Sequence, residues 1–262
     1  MGIYLYCVAE GEPLGAAPKG VDEVREVYSL THGDLAAVVS PVGLAEFGQE
    51  VIEEKLQSLE WVEAKVIIHS RVVDWAMERC PVLPMRFATI FHSEERIRGL
   101  LSERYEDFKS ALAHLRGTEE WGVKLHARPE AFFRARLARE VEAGQREMAA
   151  KSRGQAYLLG KRLEQSLRER CQCLLAETAE GVHRRLAGKA VDSCMNEAMA
   201  GSNPGERTLL NAAYLVKKDR RDEFLTEAKA IQDDLAGSGM RLCPSGPWPS
   251  YNFSQVDLRE DG

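Results

Sequence analysis

The spacing of hydrophobic and polar residues predicts a strand on the border between the two halves of the chain. In the stretch 120–127, apolar side chains alternate with glycine, lysine and histidine, which is the period of a half-buried strand. Gly117 ends a helical pattern before the strand, and Pro129 stops the strand behind it. One α+β unit precedes this strand, and a second unit begins with it.

The N-terminal half is predicted to contain strands followed by helices. Three apolar runs predict strands, namely 3–9, 24–30 and 35–40. Gly33 stands between the last two runs and predicts a hairpin turn with a left-handed residue. Apolar residues at helical spacing predict two long helices, over 52–77 and 93–117. The apolar stripe of the first helix is predicted to comprise Ile52, Leu56, Leu59, Val62, Val66, Val73 and Met77.

Two polar residues lie within apolar stretches of this half. His69 falls on the apolar stripe of the first helix, and no histidine or carboxylate four residues further along completes a metal pair. We predict a hydrogen-bonded core histidine, with a buried base or ligand as the alternative. Arg86 follows an extended segment that Pro81 and Pro84 keep out of a helix. An ion pair and a contact with an anion or partner are both open for Arg86.

The C-terminal half alternates strands and helices. Apolar patterning predicts two helices and three strands, namely helices 155–186 and 219–235 and strands 189–195, 208–216 and 240–243. A short helix is predicted around Phe132, because Gly144 and Gly154 weaken its continuation. Counted from the bordering strand, the order is β-α-β-β-α-β, that of the ferredoxin-like split arrangement. The long helix either covers the sheet or forms an arm that reaches another protein.

These elements predict an α+β protein with two domains, the second a modified ferredoxin-like (βαββαβ) domain with a long helix. The predicted domains are residues 1–118, residues 119–243 and a proline-rich aromatic tail over residues 244–262. The tail either covers the sheet of its own domain or presents a surface to a partner. Covering is favoured, because Gly246 and Pro247 follow the final strand at once and can turn the chain back.

Composition and charge restrict the possible partners. The chain is 44% hydrophobic and 29% charged, with a net charge of −6, so it offers no basic field for nucleic acid or an anionic membrane. No apolar run approaches the roughly 20 residues that cross a bilayer, and the first residues lack a signal-peptide pattern. The six cysteines form no CxxC pair, which suits reduced thiols in a cytoplasmic protein. No nucleotide-binding, hydrolase or metalloprotease motif is present, so no catalytic residue, metal or cofactor is predicted.

Four blocks of sequence resemble a known family. They are Val-Leu-Pro-Met-Arg-Phe-Ala-Thr-Ile-Phe at 82–91, Glu-Trp-Gly-Val-Lys at 120–124, Leu-Asn-Ala-Ala-Tyr-Leu-Val at 210–216 and Gly-Pro-Trp-Pro-Ser-Tyr-Asn-Phe at 246–253. Together, and in this order, the blocks are similar to those of the gas vesicle proteins GvpF and GvpL. The chain departs from the family pattern at Ala88, where a glycine is expected, and at Ser250, where a third proline is common.

The resemblance implies a cytoplasmic accessory or minor component of gas vesicles without an active site. Family members are expected to bind the small hydrophobic shell protein GvpA, to limit its aggregation and to help nucleate the vesicle, together with other gas vesicle accessory proteins. It also implies two α+β domains, the second a modified ferredoxin-like one. The candidate partner-binding residues are Arg86, Phe87, Trp248, Tyr251 and Phe253.

Two other classes of function stay open from the sequence. One is an enzyme whose polar site is assembled in space, with His69, Arg86, Glu120 and Lys124 as candidates. The other is a regulatory protein that senses a small molecule, which rests only on analogy with other ferredoxin-like domains. A neighbouring gene for a short, very apolar shell protein would separate the gas vesicle hypothesis from both.

Overall fold

The chain folds into two compact units. The structure, a computed structural model, describes residues 1–197 and 203–254. The first unit is Met1–Glu120 together with the described residues from Trp248 onward, and the second is Trp121–Pro247. Residues 255–262 of the predicted tail lie outside the described residues. The predicted boundaries after residues 118 and 243 stay a prediction.

The first unit combines an antiparallel sheet with helices. Its elements are β1 (Gly2–Glu10), β2 (Tyr28–His32), β3 (Leu35–Val42), α1 (Leu44–Phe47), α2 (Gln49–Lys55), α3 (Leu59–Met77), β4 (Val82–Pro84), β5 (Ile90–Phe91), α4 (Glu94–Glu103) and α5 (Tyr105–Leu115). The strand order is β2-β3-β1-β4, and β5 also pairs with β1. Strand β1 is central and buried along almost its whole length, which explains its nearly continuous apolar sequence.

The predicted hairpin is present, with one correction. Strands β2 and β3 pair antiparallel from Tyr28 opposite Val39 to His32 opposite Leu35. Gly33 takes a φ of 59° in the turn, a conformation that a Cβ disfavours. The strand predicted from residue 24 begins only at Tyr28, because the preceding residues form a turn and make only an isolated bridge, between Lys19 and Glu26.

The single helix predicted over 52–77 is wrong, because the chain breaks it into α2 and α3. Helix α3 begins anew at Leu59, where the Ser58 side chain accepts a hydrogen bond from the backbone N–H of Trp61 at 3.4 Å. Because α3 starts anew, its buried face is rotated relative to the apolar stripe predicted for a single helix. The predicted stripe is therefore also wrong in part, since Leu56 and Leu59 are exposed. The buried residues of α3 are Ile68, His69, Val72, Val73 and Ala76.

The helix predicted over 93–117 is likewise divided. Helices α4 and α5 meet at Arg104, whose backbone is not helical, with φ −108° and ψ 24°. Each part buries its own apolar residues, with Ile97 and Leu101 from α4 and Phe108, Leu112 and Leu115 from α5.

The second unit has the predicted ferredoxin-like order, with two helices in the first crossover. Its elements are β6 (Thr118–Ala127, shared with the first unit), α6 (Pro129–Ala149), α7 (Arg153–Ala187), β7 (Asp192–Met195), β8 (Arg207–Lys217), α8 (Arg221–Asp234) and β9 (Met240–Trp248). The strand order is β7-β8-β6-β9. The α+β fold class is therefore confirmed. The core of this unit contains Trp121, Val123 and Leu125 of the bordering strand, as their alternation predicts.

Two elements of this unit are longer than predicted. Helix α6 continues through Gly144 to Ala149, although glycine has a low helix propensity. This glycine lets Leu163 of α7 pack against the α6 backbone, and that contact stabilises the continued helix. A Cβ built at Gly144 would lie 2.0 Å from Leu163 Cδ2, well inside van der Waals contact. Strand β9 does not end at residue 243 but runs to Trp248. Gly246 and Pro247 therefore lie within the strand and do not turn the chain back onto the sheet.

A histidine-tyrosine cluster and an apolar groove in the first unit

His69 lies in the core of the first unit with both ring nitrogens engaged. Its Nδ1 is 3.0 Å from the hydroxyl of Tyr4 on β1, and its Nε2 is 3.1 Å from the hydroxyl of Tyr251 in the tail. The side chain is only 2% exposed. The prediction of a hydrogen-bonded core histidine is confirmed.

The two tyrosine hydroxyls fit a neutral imidazole. A neutral ring donates from one nitrogen and accepts at the other, and a hydroxyl can take either part. The Tyr4 hydroxyl oxygen also accepts a hydrogen bond from the backbone N–H of Ala88 at 2.8 Å. Burial lowers the pKa of His69 to about 4, because a charged imidazolium would lose its hydration. The ring is therefore neutral at physiological pH.

The C-terminal tail is held on this unit by further polar contacts. The Asn252 side chain donates to Glu120 Oε1 at 2.6 Å, and the Asn252 backbone N–H donates to Glu120 Oε2 at 2.9 Å. The Ser254 hydroxyl donates to the Pro84 carbonyl at 3.1 Å. Burial raises the pKa of Glu120, and the two donors of Asn252 partly offset this. The expectation that the tail covers the second domain's sheet is corrected, since its described end belongs to the first unit.

The five predicted partner residues fall into two groups. Phe87 is half-buried, with its ring 6.0 Å from the ring of His69 and 6.1 Å from that of Trp61, and Tyr251 and Phe253 are also half-buried. Arg86 and Trp248 are exposed, Trp248 by 52%. Within the described part of the chain the Arg86 guanidinium has no carboxylate partner. The ion-pair alternative for Arg86 therefore finds no support.

Ala88 holds the turn after Arg86 in an unusual conformation. Its φ is 66°, in the left-handed region that costs a residue with a Cβ roughly 1–2 kcal/mol. The hydrogen bond from its backbone to Tyr4 anchors the turn to β1. The resemblance leads us to expect a glycine at this position, and a glycine adopts this conformation without the cost of a Cβ.

An open groove of about 720 Å³ runs along the outer face of α3. Its apolar walls come from the loop Ala16, Ala17 and Pro18 and from Val66, Ile67 and Trp75 of the helix. Ile67 is 60% exposed there, which is unusual for isoleucine on a core-packed helix. Asp74, Glu78 and Arg71 add charge to the lining. We call this feature the α3 groove.

Arg79 fixes the loop that forms one wall of the α3 groove. Its Nε donates to the Leu14 carbonyl at 3.0 Å, and its Nη1 donates to the Trp75 carbonyl at 2.6 Å. The guanidinium also lies 5.0 Å from the centre of the Trp75 ring. Trp75 Nε1 is the one buried side-chain polar atom without a hydrogen-bond partner among the residues described. Buried donors are normally paired, so this indole nitrogen is an exception in the described part of the chain.

The residues of the hypothetical polar site do not form an open catalytic centre. His69 is enclosed by two tyrosines, and Glu120 is buried against Asn252. Lys124 lies on the part of β6 that belongs to the second unit. Across residues 1–197 and 203–254, no group of three or more histidine, cysteine or acidic side chains is arranged to hold a metal. The six cysteines are free thiols.

Comparison with known families decides the assignment. The family model "Gas vesicle synthesis protein GvpL/GvpF" matches residues 2–255. The chain belongs to the GvpL/GvpF family. It is 29% identical over 256 residues to gas vesicle protein L of a Streptomyces species, covering 97% of this chain and 92% of that protein. It is 25% identical over 259 residues to gas vesicle protein F1 of Halobacterium salinarum, covering 98% and 94%.

Two solved structures of GvpF share the fold of this GvpL/GvpF-family chain. The crystal structure from an Anabaena species matches with a TM-score of 0.70 at 19% identity, covering 100% of this chain and 99% of that one. The crystal structure from Microcystis aeruginosa matches with a TM-score of 0.66 at 21% identity, covering 97% and 99%. None of the described helices is long and apolar enough to cross a membrane.

The α3 groove is the feature of this family member that the sequence pattern missed. The loop 10–20 signals only a surface turn, and the helical pattern places Val66 on the buried stripe. The available signal was Ile67, an isoleucine outside the predicted stripe. Its position next to the apolar loop becomes apparent only when α3 is placed against that loop in space.

Proposed function

We propose that this protein is a gas vesicle assembly protein that binds the small hydrophobic shell protein GvpA in the α3 groove. It thereby limits aggregation of the shell protein and helps nucleate the vesicle. The observation that carries the proposal is the open apolar groove at Ile67 and Trp75, in a chain of the gas vesicle synthesis family.

The groove has the chemistry that an apolar polypeptide segment needs. Val66, Ile67 and the loop residues offer apolar surface, which contributes about 25 cal/mol per Å² removed from water. The indole of Trp75 adds aromatic surface to the same wall.

The net charge suits a protein that keeps an apolar client dispersed. A charge of −6 gives the complex electrostatic repulsion against other complexes. Carboxylates of Asp74 and Glu78 line the groove itself, so the charge lies next to the bound segment. We place this activity in the cytoplasm, where other gas vesicle accessory proteins are the further partners.

The five residues predicted for partner binding take two different parts in this proposal. Arg86 and Trp248 are exposed and serve as additional contacts for the shell protein. Phe87, Tyr251 and Phe253 are half-buried and act by supporting the surface from which Arg86 projects. No catalytic step and no cofactor enter the proposal.

The test is capture of purified GvpA by variants of the full chain. Ile67→Asp places a charge in the apolar wall and is expected to weaken capture at least tenfold. Trp75→Phe reduces the aromatic surface of the wall and is expected to weaken capture to a smaller extent than Ile67→Asp. Val24→Asp is the matched control, because Val24 is also exposed in the first unit and does not line the groove. Light scattering of GvpA with each variant measures the effect on aggregation.

Two results would overturn this proposal. One is failure of the unaltered chain to capture GvpA or to reduce its light scattering. The other is loss of capture with Val24→Asp that equals the loss with Ile67→Asp, since the groove would then have no special part. Circular dichroism and melting temperature verify that each variant is folded, because all three side chains lie on the surface or in the groove wall.

A further inference from the structure

The end of the α6–α7 hairpin is an exposed, basic and apolar surface. We define the hairpin tip as residues 148–162, which join the end of α6 to the start of α7. Tyr157 and Leu158 are each 63% exposed there. The tip contains no acidic residue and four cations, Lys151, Arg153, Lys161 and Arg162, all of them exposed. In a chain with a net charge of −6, this concentration of positive charge is a local exception.

The tip is a well-formed structure. Ser152 and Gln155 form a capping box at the start of α7, and Leu163 packs onto the α6 backbone at Gly144. Helix α7 contributes to the hydrophobic core of the second unit only from Cys171 onward. The preceding turns pack on α6, so the tip serves no purpose in the core.

The cations of the tip are not explained by contacts within the chain. Lys161 lies 5.3 Å from the centre of the Tyr157 ring, and no carboxylate within the described ranges pairs with it or with the other three cations. Arg153 occupies the first turn of α7, which contains no acidic residue. A cation at that end of a helix opposes the helix dipole. Such a charge is unfavourable for folding and points to a binding role.

A surface of opposite charge lies on the first unit. We define the acidic ledge as residues 53–63, at the end of α2 and the start of α3. Its carboxylates Glu53, Glu54, Glu60 and Glu63 are exposed, and no cation in the described part of the chain pairs with them. Two leucines stand exposed among them, Leu56 by 46% and Leu59 by 74%. The stretch thus combines four unpaired carboxylates and one lysine, Lys55, with two exposed leucines, and it is opposite in charge to the tip.

We propose that the hairpin tip of one copy of this chain docks on the acidic ledge of a second copy. Tyr157 and Leu158 would pack on Leu56 and Leu59, while the surrounding charges pair across the contact. Complementary charge steers such encounters, and the apolar centre holds them. Because the two surfaces differ, the contact is heterologous and leaves a free tip and a free ledge on every pair. The copies therefore add in a row, which closes into a ring or grows as a filament. This assembly is independent of the groove that we propose for the shell protein.

The experiment measures self-association of the full chain by analytical ultracentrifugation across protein and salt concentrations. The unaltered chain is expected to associate at low salt, and raising the ionic strength is expected to weaken association, because surface charges are screened. Replacing the four tip cations by glutamate turns the charge of the tip from +4 to −4, with the substitutions Lys151→Glu, Arg153→Glu, Lys161→Glu and Arg162→Glu. Replacing the four ledge carboxylates by lysine turns the charge of residues 53–63 from −3, with Lys55 counted, to +5, with the substitutions Glu53→Lys, Glu54→Lys, Glu60→Lys and Glu63→Lys. Each of these variants alone is expected to associate at least tenfold more weakly.

Mixing the tip variant with the ledge variant gives the decisive result. The reversed tip meets the reversed ledge and the two unaltered surfaces also meet, so association is expected to return in the mixture. Lys229→Glu is the matched control, since Lys229 on α8 is exposed and unpaired among the described residues, and it should leave association unchanged. Circular dichroism confirms folding, and recovery in the mixture itself excludes misfolding as the cause of the loss.

Several outcomes would overturn the proposal. A chain that stays monomeric at low salt and high concentration would do so. Loss of association in the tip variant without loss in the ledge variant would assign the tip to another acidic surface. Failure of the mixture to recover would also refute the pairing. Binding of the tip to phosphatidylglycerol vesicles by a chain that remains monomeric would make an anionic lipid surface the occupant instead.

Discussion

At the scale of single residues, His69 shows how a polar group is kept in an apolar core. Tyr4 and Tyr251 satisfy both ring nitrogens, and the aromatic rings of Tyr6 and Phe87 lie 5.7 and 6.0 Å from the imidazole. These hydrogen bonds compensate the neutral ring for the water it has lost. Burial removes the much stronger hydration of the charged ring, and this loss makes protonation of His69 unfavourable.

This coupling predicts how stability depends on pH. The ordinary pKa of 6.5 applies in the unfolded chain, and the folded value is about 4. Between these values the unfolded state binds more protons, so the free energy of unfolding falls as the pH falls from 6.5 to 4. The full effect is about 3 kcal/mol. His69→Gln keeps hydrogen-bonding capacity but does not titrate, so we expect its stability to depend less on pH.

Urea unfolding of both proteins at pH 7 and pH 4 measures the difference. His69→Gln is expected to be the less stable protein at pH 7, because packing around the ring is lost. The difference in the free energy of unfolding between the two proteins should narrow by up to about 3 kcal/mol at pH 4. The same difference at pH 7 and at pH 4 would show that His69 does not carry a lowered pKa. His92→Gln, which alters an exposed histidine of the same unit, is the comparison variant.

At the scale of elements, helix α6 and helix α7 form a hairpin through one close approach. A Cβ at Gly144 would collide with the end of Leu163, so the glycine permits a packing that an ordinary helix residue would prevent. In isolation a glycine within a helix costs roughly 1 kcal/mol relative to alanine. The contact with Leu163 therefore explains a residue that local propensity disfavours.

Gly144→Val is predicted to destabilise the second unit by about 1–3 kcal/mol, the usual cost of overpacking. Gly154→Val is the control, because a Cβ at that exposed position meets no atom within 4 Å. Chemical denaturation of each variant measures the change. The collision also predicts a strong coupling with Leu163→Ala, which should make Gly144→Val much less harmful. Additive effects of the two substitutions would contradict the close approach.

The elements also show which features the sequence alone could predict. Alternation and turn residues are local signals, so the strand 120–127, the hairpin at Gly33 and the order of the second unit were predictable. The break between α2 and α3 was missed because its apolar spacing continues across Ser58. Only the cap of the new helix and its rotated buried face reveal the break.

The candidate site was less predictable for a different physical reason. Its parts are brought together by contacts between distant residues, such as Asn252 with Glu120, which stand 132 residues apart. Periodicity carries no information on such pairs. The aromatic character of the tail was visible in Trp248 and Tyr251, whereas its partner on the first unit was not. The α3 groove likewise needs the loop at Leu14 to be placed against α3 by Arg79.

At the scale of the whole molecule, the chain returns at its C-terminus to the unit with which it began. The last strand of the second unit ends at Trp248, and the described residues that follow are part of the first unit. Tyr251 completes the hydrogen bonds of His69, and Asn252 satisfies the buried Glu120. Removal of the tail would leave both groups buried without these partners, which is costlier than the loss of an exposed segment.

The tail is therefore predicted to be a structural part of the first unit. Removing residues 249–262 should destabilise that unit by roughly 3 kcal/mol, through lost aromatic burial and an unsatisfied carboxylate. Amide hydrogen exchange in the full chain and in the truncated chain measures the stability of each unit separately. We expect the slowest amides of β1 and α3 to exchange on the order of a hundredfold faster, while those of β8 change little. If removal of residues 249–262 left β1 and α3 as protected as before, the tail would be an appendage, and its aromatic residues would be better explained as contacts for a partner.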